Sequence, residues 1–212
     1  MGTITQQNLS TMAGDRQTVD EDSEVLSRCR QGDTDAFELL VRKYQKRLLN
    51  TAYRMTGSYE DACEVVQDAF LSAYRGLKAF EGRSRFSTWL FTIVINLSRN
   101  RIRQIASRLR REQNSLDDPV RTEEGAIGRE IPSAEPSVVE RIEKRELQEK
   151  VQDCIGRLDG EFREVLVLRD IQGFSYEEIR AMLEIPEGTV KSRLFRARDA
   201  LKDCLKKTIG EL

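Results

Sequence analysis

The 212-residue sequence contains no histidine. The chain therefore lacks a His general base, a His-activated nucleophile and any zinc site with His ligands. It also lacks long apolar runs, since its uninterrupted apolar stretches are only a few residues long and too short to span a bilayer. The first 22 residues contain no basic stretch followed by an apolar one, so no secretory signal is predicted. We expect a soluble protein in the cytoplasm.

Cysteine is scarce and scattered. Cys29, Cys63, Cys154 and Cys204 are far apart in the sequence, and no two of them form a CxxC pair. A disulfide framework or a zinc knuckle requires closer grouping. Because cytoplasmic thiols are normally kept reduced, we expect four reduced and mostly structural cysteines.

Charge is abundant and segregated along the chain, although the net charge is only -1. Residues 83–111 contain eight arginines and no acidic residue, and residues 187–207 contain seven basic and three acidic residues. Residues 112–149 contain eleven acidic and five basic residues, and residues 1–24 contain five acidic residues and one basic residue. The near-neutral total therefore hides two basic blocks, which suit a polyanionic partner such as nucleic acid.

The composition divides the chain into two units. Three of the four prolines fall between residues 112 and 137, among glycine, serine and acidic residues. This composition predicts a flexible acidic linker over 112–137, with one domain over 24–111 and another over 138–212. Residues 1–23 are polar and predict a disordered extension. In the free protein we expect the two halves and the linker to pack together, so that DNA binding by the chain alone is weak.

Apolar residues that recur with a 3.6-residue period predict an all-α fold of two small helical domains. The predicted helices of the first domain cover 37–53, 60–74 and a segment beginning at Ser87. The predicted helices of the second domain cover 138–155, with Leu147 on its apolar face, and then 161–170, 176–183 and 187–206.

The last two helices predict a helix-turn-helix. Ser175 and Glu178 have the spacing of a capping box, and Pro186 separates the two short helices. The second helix is basic, so we expect it to enter the major groove of DNA. Its residues suited to phosphate or base contacts are Thr189, Lys191, Ser192, Arg193, Phe195, Arg196 and Arg198. The alternative is a solvated helix face with ordinary ion pairs.

Two features of the first domain are ambiguous from composition. Aromatic residues alternate with arginines between Phe80 and Phe91, which suits single-stranded DNA, since bases stack on rings and cations bind phosphates. Composition alone favours core aromatics with solvated arginines. The helix over 60–74 has an acidic, amide-bearing face that is normally just solvated but could dock a basic partner. This face consists of Asp61, Glu64, Gln67 and Asp68.

Several segments together resemble the extracytoplasmic-function, or group IV, sigma factors of bacterial RNA polymerase. The first domain contains GDTDAFELL from Gly32, DACEVVQDAF from Asp61, and FSTWLF from Phe86 followed by NLSRN from Asn96. The second domain contains SYEEI from Ser175 and GTVKSRLFRAR from Gly188. The resemblance covers roughly residues 25–111 and 140–206, and the order of the segments makes it specific.

The resemblance implies a role for each surface. The helix over 187–198 would read the −35 promoter element. The loop between Phe80 and Phe86 would capture an unpaired base of the −10 element, and the helix after it would contact the non-template strand. The residues implied at the −10 element are Phe80, Arg83, Arg85, Phe86, Asn96, Arg99, Asn100 and Arg103. Those implied to dock on core polymerase are Asp61, Glu64, Gln67, Asp68 and Phe70.

The resemblance also implies the partners. These are promoter DNA, core RNA polymerase (through the coiled coil of its largest subunit and its flap) and an anti-sigma factor, which could hold the chain near the inner membrane. It implies no catalytic residues, no metal and no cofactor. Cys63 departs from the family pattern, which commonly has an acidic residue there.

Two other functions remain open on sequence grounds. A helix-turn-helix regulator with a ligand- or partner-binding first domain would bind duplex DNA without polymerase and would dimerise. A nuclease would need a clustered acidic motif with metal-site spacing, and none stands out.

Overall fold

The computed structural model describes residues 21–114 and 138–210. The predicted extension and linker lie almost wholly outside the described residues. Within them the all-α prediction is confirmed, since the chain forms eight α-helices and no strand. The helices are α1 (Ser23–Arg30), α2 (Thr34–Thr56), α3 (Tyr59–Gly76), α4 (Phe86–Asn114), α5 (Val138–Gly156), α6 (Gly160–Leu166), α7 (Tyr176–Leu183) and α8 (Glu187–Ile209).

The first four helices form the N-terminal unit. Local signals set their ends: the Asp33 carboxylate accepts a hydrogen bond from the Ala36 amide, and the Ser58 hydroxyl accepts one from the Asp61 amide. Gly57, with φ of 81°, ends α2 in a left-handed conformation that glycine adopts without strain. Helix α4 continues to Asn114, and the predictions did not include α1.

The last four helices form the C-terminal unit, which contains the predicted helix-turn-helix. The capping box is present, since the Ser175 hydroxyl accepts from the Glu178 amide and the Glu178 carboxylate accepts from the Ser175 amide. Helix α7 ends at Glu184, which has a left-handed φ of 54°, and α8 begins after Pro186. The predicted helix over 161–170 becomes α6 followed by a π-helical turn over Val167–Ile171.

Helix α5 packs differently from its predicted pattern. Leu147, predicted on the apolar face, is 47 % exposed, so this prediction is wrong. The reason is that the described part of α5 packs through its C-terminal end, where Cys154 and Ile155 are buried. Residues 144–150 are all exposed.

The two units pack against each other through aromatic and polar contacts. The rings of Phe91 (α4) and Phe174 (before α7) meet edge to face with centroids 4.9 Å apart. The Arg47 guanidinium lies 5.0 Å from the Phe91 centroid and 5.7 Å from that of Phe174. Arg163 donates to the Met55 carbonyl at 2.6 Å. The expected association of the two halves is present in the structure of the chain alone.

The cysteines depart from expectation. Cys154 (α5) and Cys204 (α8) are joined by a disulfide, with Cα atoms 5.7 Å apart, so the expectation of four reduced thiols is wrong for this pair. Helix packing brings together residues that are 50 positions apart, and sequence spacing does not show this. Cys29 and Cys63 are free thiols, the first buried and the second exposed.

Candidate nucleic-acid and protein interfaces

The exposed face of α8 gathers four of the predicted DNA-contacting residues. Val190, Leu194 and Ala197 are buried against the C-terminal unit and fix the rotation of the helix. The opposite face therefore projects outward, and Phe195 on it is 74 % exposed. The Phe195 ring is therefore open to a partner molecule. The outward face consists of Lys191, Ser192, Phe195 and Arg196.

The two basic residues on this outward face, Lys191 and Arg196, differ in their ion pairing. Lys191 pairs with Glu187 at 2.6 Å, and this hydrogen bond raises the pKa of the Lys191 ammonium and lowers the pKa of the Glu187 carboxyl. Arg196 has no ion pair within the described part of the chain. Its guanidinium is thus available for the bidentate contact that arginine makes with guanine.

Three other predicted residues of α8 are held by ion pairs or are partly buried. Arg193 pairs with Glu161 at 2.6 Å and is largely covered. Arg198 makes two hydrogen bonds with Asp170, at 2.9 and 2.6 Å. Thr189 is half-buried in the first turn. These ion pairs join α8 to the preceding helices, which favours a structural role for both arginines.

The aromatic residues of the predicted −10 loop belong to the core. Phe86 is fully buried and Phe80 is 8 % exposed. The Phe80 ring stacks on Trp89, with centroids 4.8 Å apart. Arg83 and Arg85 are exposed, and they pair with Glu81 at 2.5 Å and with Glu178 of α7 at 3.8 Å. Of the four loop residues predicted to contact the −10 element, the two rings support the loop and the two arginines are presented to solvent.

Residues of α4 predicted to contact the non-template strand divide in a similar way. Asn96, Asn100 and Arg103 are exposed along one side of the helix. Arg99, between them, donates from Nε and Nη2 to the two carboxylate oxygens of Glu164 in α6, both at 2.5 Å. Only 6 % of the Glu164 side chain is exposed, and its hydrogen bonds raise the pKa of Arg99. This bidentate pair crosses between the units and occupies a predicted DNA-contacting residue.

The acidic face of α3 is partly occupied from within the molecule. Arg101 of α4 pairs with Asp61 at 2.6 Å and with Glu64 at 2.7 Å. Gln67 and Asp68 are exposed, whereas Phe70 is half-buried, with its ring 6.4 Å from that of Phe37. Asp68 and Gln67 are therefore the most accessible predicted docking residues.

Sequence reasoning missed two residues at this face. Leu71, three positions after Asp68, is 45 % exposed. Leu71 lies outside the buried series Ala62, Val65, Ala69 and Ala73. This position in the helical pattern could have identified it as a contact residue. Arg101 belongs to the recognised basic block, but nothing in the sequence indicates that it pairs with Asp61.

The described residues contain no group of three or more side chains suited to hold a metal ion. Within residues 21–114 and 138–210, no helix has both the length and the apolar character needed to cross a membrane.

Two family models match the chain, one in each helical unit. Residues 40–111 match sigma-70 region 2, and residues 148–201 match sigma-70 region 4. The first match contains the α3 face and most of α4, and the second contains the helix-turn-helix.

Curated relatives match over most of their length. The chain is 36 % identical over 197 residues to the RNA polymerase sigma-H factor of Pseudomonas aeruginosa, covering 92 % of this chain and 98 % of that protein. It is 37 % identical over 183 residues to the ECF RNA polymerase sigma-E factor of Escherichia coli K12, covering 85 % and 92 %.

Two solved structures share the fold. CnrH in complex with the cytosolic domain of CnrY has a TM-score of 0.63 and 26 % identity, covering 89 % of this chain and 99 % of that one. The sigma factor RpoE in complex with the anti-sigma factor NepR from Bartonella quintana also has a TM-score of 0.63 and 26 % identity, covering 80 % and 96 %.

Proposed function

The chain belongs to the extracytoplasmic-function group of the sigma-70 family, and from this membership we propose that it directs core RNA polymerase to promoters through its two helical units. As a sigma factor it is a transcription initiation factor and not an enzyme. The observation that carries the residue-level proposal is the outward face of α8, on which Arg196 is free of ion pairs beside the exposed ring of Phe195.

We propose that Lys191, Ser192, Phe195 and Arg196 contact the −35 element. A helix of this kind reads base edges in the major groove with the side chains that project from its exposed face. Arg196 supplies a bidentate donor, and Phe195 an apolar surface suited to a thymine methyl group. Lys191 contributes a phosphate contact, since a point charge neutralises phosphate without selecting sequence.

At the −10 element we propose a surface made of Arg83 and Arg85 in the loop and of Asn96, Asn100 and Arg103 on α4. All five are presented to solvent. The buried rings of Phe80 and Phe86 hold the loop in position. Arg99 would join this surface once its pair with Glu164 is broken.

Core polymerase docking is proposed at Gln67, Asp68 and Leu71 on α3, with Glu64 at the edge of the surface. Exposed acidic side chains beside an exposed leucine suit a basic partner with an apolar patch. Asp61 supports this surface through Arg101.

We propose an anti-sigma factor as a further partner of this chain. Both structural neighbours described above are complexes, and in the one from Bartonella quintana a sigma factor is bound to an anti-sigma factor. Location in the cytoplasm, with an anti-sigma factor holding the chain near the inner membrane, belongs to the same proposal.

The test of the whole function is transcription in vitro from a library of promoters. The chain with core polymerase is expected to give specific starts, and the chain alone none. Binding to duplex DNA as a dimer without polymerase would instead support the helix-turn-helix regulator, and magnesium-dependent DNA cleavage would support the nuclease.

The docking surface has a test of its own. Asp68→Arg places a cation where a basic partner docks, so binding to immobilised core polymerase should fall about tenfold or more. Asp153→Arg makes the same charge change at an exposed position on α5 and is the matched control. Equal binding by both variants would contradict the assignment. Asp68 is preferred to Asp61 because reversal at Asp61 would also disrupt the pair with Arg101.

A further inference from the structure

The Cys154–Cys204 disulfide lies away from every surface used above. It joins the C-terminal end of α5 to the second half of α8, beyond the residues of α8 that are proposed to contact DNA. Disulfides in cytoplasmic proteins are usually transient or redox-sensing. For a chain with the proposed cytoplasmic location, a bridge at this position therefore points to a reversible one.

The two sulfurs differ in access. Cys154 is 1 % exposed, whereas Cys204 is half-buried and reachable from solvent. A pocket of about 260 Å³ opens beside the bridge, and both cysteines line it. An external thiol can thus approach the sulfur of Cys204, while Cys154 is placed to act as the resolving or leaving sulfur.

The pocket is flanked by two exposed cations. Arg157 and Lys207 line it, and neither has an ion pair within the described residues. One acidic residue, Asp203, also lines it. Two unpaired cations beside a disulfide favour an incoming thiol that carries carboxylates.

We propose that Cys154 and Cys204 form a thiol–disulfide exchange site for small anionic thiols of the glutathione class. In reduction, a glutathione thiolate attacks Cys204 Sγ, the Cys154–Cys204 bond breaks, and Cys154 leaves as a thiolate that takes up a proton. A second glutathione attacks the mixed disulfide, which releases Cys204 and forms glutathione disulfide. The protein gains two electrons, and oxidation by glutathione disulfide reverses both steps.

The oxidation state should change the stability of the C-terminal unit. The bridge closes a loop of about 50 residues, which restricts the unfolded chain. Close to the bridge, Gln152 accepts a hydrogen bond from Arg54 at 2.9 Å and donates one to the Tyr53 carbonyl at 3.2 Å. The end of α5 therefore connects the bridge to α2 of the N-terminal unit.

The experiment equilibrates the full chain with graded ratios of glutathione to glutathione disulfide and counts alkylatable cysteines by intact mass. We expect Cys154 and Cys204 to become protected together, with an unfolding midpoint about 10 °C higher in the oxidised form. Cys154→Ser should remove that difference and accumulate a glutathione adduct at Cys204, whereas Cys204→Ser should leave buried Cys154 unmodified. If both cysteines stay alkylatable at every ratio, the proposal is overturned.

The preference for an anionic thiol is tested by the rate at which different thiols reduce the bridge. The double variant Arg157→Gln with Lys207→Gln should slow reduction of the bridge by glutathione about tenfold and leave reduction by neutral 2-mercaptoethanol unchanged. An equal change with both reagents, or none with either, would contradict recognition of the anion by these cations.

Discussion

The two helical units present their candidate DNA-contacting residues in opposite ways. In the C-terminal unit, Arg196 and Phe195 project from α8 into solvent. In the N-terminal unit, Phe80 and Phe86 are buried, and Arg99 is held by Glu164 of the other unit. The isolated chain therefore exposes its proposed −35 surface, while an internal ion pair occupies part of its proposed −10 surface.

Removing only one partner of the ion pair between Arg99 and Glu164 is energetically costly. Glu164 is almost fully buried, so its carboxylate would be left unpaired in a poorly solvated site if Arg99 were removed. Binding to polymerase or DNA must therefore replace or expose both partners together. This requirement would link opening of the two units to use of the proposed −10 surface.

The largest expected effect is the difference in stability between substituting the buried ring of Phe86 and substituting the exposed ring of Phe195. Phe86→Ala removes a fully buried side chain and should destabilise the protein by about 3–5 kcal/mol. Phe195→Ala should change stability by about 0.5 kcal/mol or less, because its ring is exposed, yet it should weaken use of the −35 element. Denaturant unfolding and promoter assays measure the two effects. Equal losses of stability would remove the distinction between the two rings.

The next largest effect tests the ion pair of Arg99 with Glu164, which we call the clamp between the units. Arg99→Ala should cost about 3 kcal/mol of unfolding free energy, because it leaves the buried Glu164 carboxylate unpaired. Glu164→Ala should cost less, because the Arg99 side chain is 30 % exposed and can be solvated. The double variant should cost less than the sum of the two single changes. The pair Arg193 and Glu161, in which Glu161 is largely exposed, is the control and should show coupling of about 1 kcal/mol or less. Additive losses for Arg99 and Glu164 would contradict a clamp.

A smaller effect distinguishes a residue of α8 that contacts bases from one that contacts only phosphate. Arg196→Ala should reduce discrimination among −35 variants by about 1–3 kcal/mol. Lys191→Ala should weaken binding to all variants alike and lower the salt dependence by about one phosphate contact. Competition binding of the holoenzyme at several salt concentrations separates them. An unchanged preference in the Arg196 variant would show that this residue does not read bases.

Local features of the fold were predictable from sequence. The Ser175 and Glu178 capping box and the break before Pro186 follow from neighbours within one or two turns. Composition also favoured a core location for the rings near Phe86, and the family resemblance placed the −10 surface on the same segment.

Long-range partners were not predictable. Glu164 lies 65 residues from Arg99, and Cys204 lies 50 residues from Cys154. Each pair depends on how helices pack in space, and a single sequence carries no pattern for such a distance. The prediction for exposed Leu147 failed for the same reason, since periodicity shows an apolar position but not whether a partner helix covers it.

The free chain is closed, and we expect core polymerase to open it. Donor and acceptor dyes on exposed Gln45→Cys in α2, outside the proposed docking surface, and on Lys202→Cys in α8 would report the separation of the units. The background is Cys63→Ser with the Cys154–Cys204 bridge kept oxidised. We expect high energy transfer in the free chain, a clear fall when core polymerase binds, and a partial fall in the free Glu164→Ala variant. Low transfer in the free chain, or no change on binding core polymerase, would contradict opening by the polymerase.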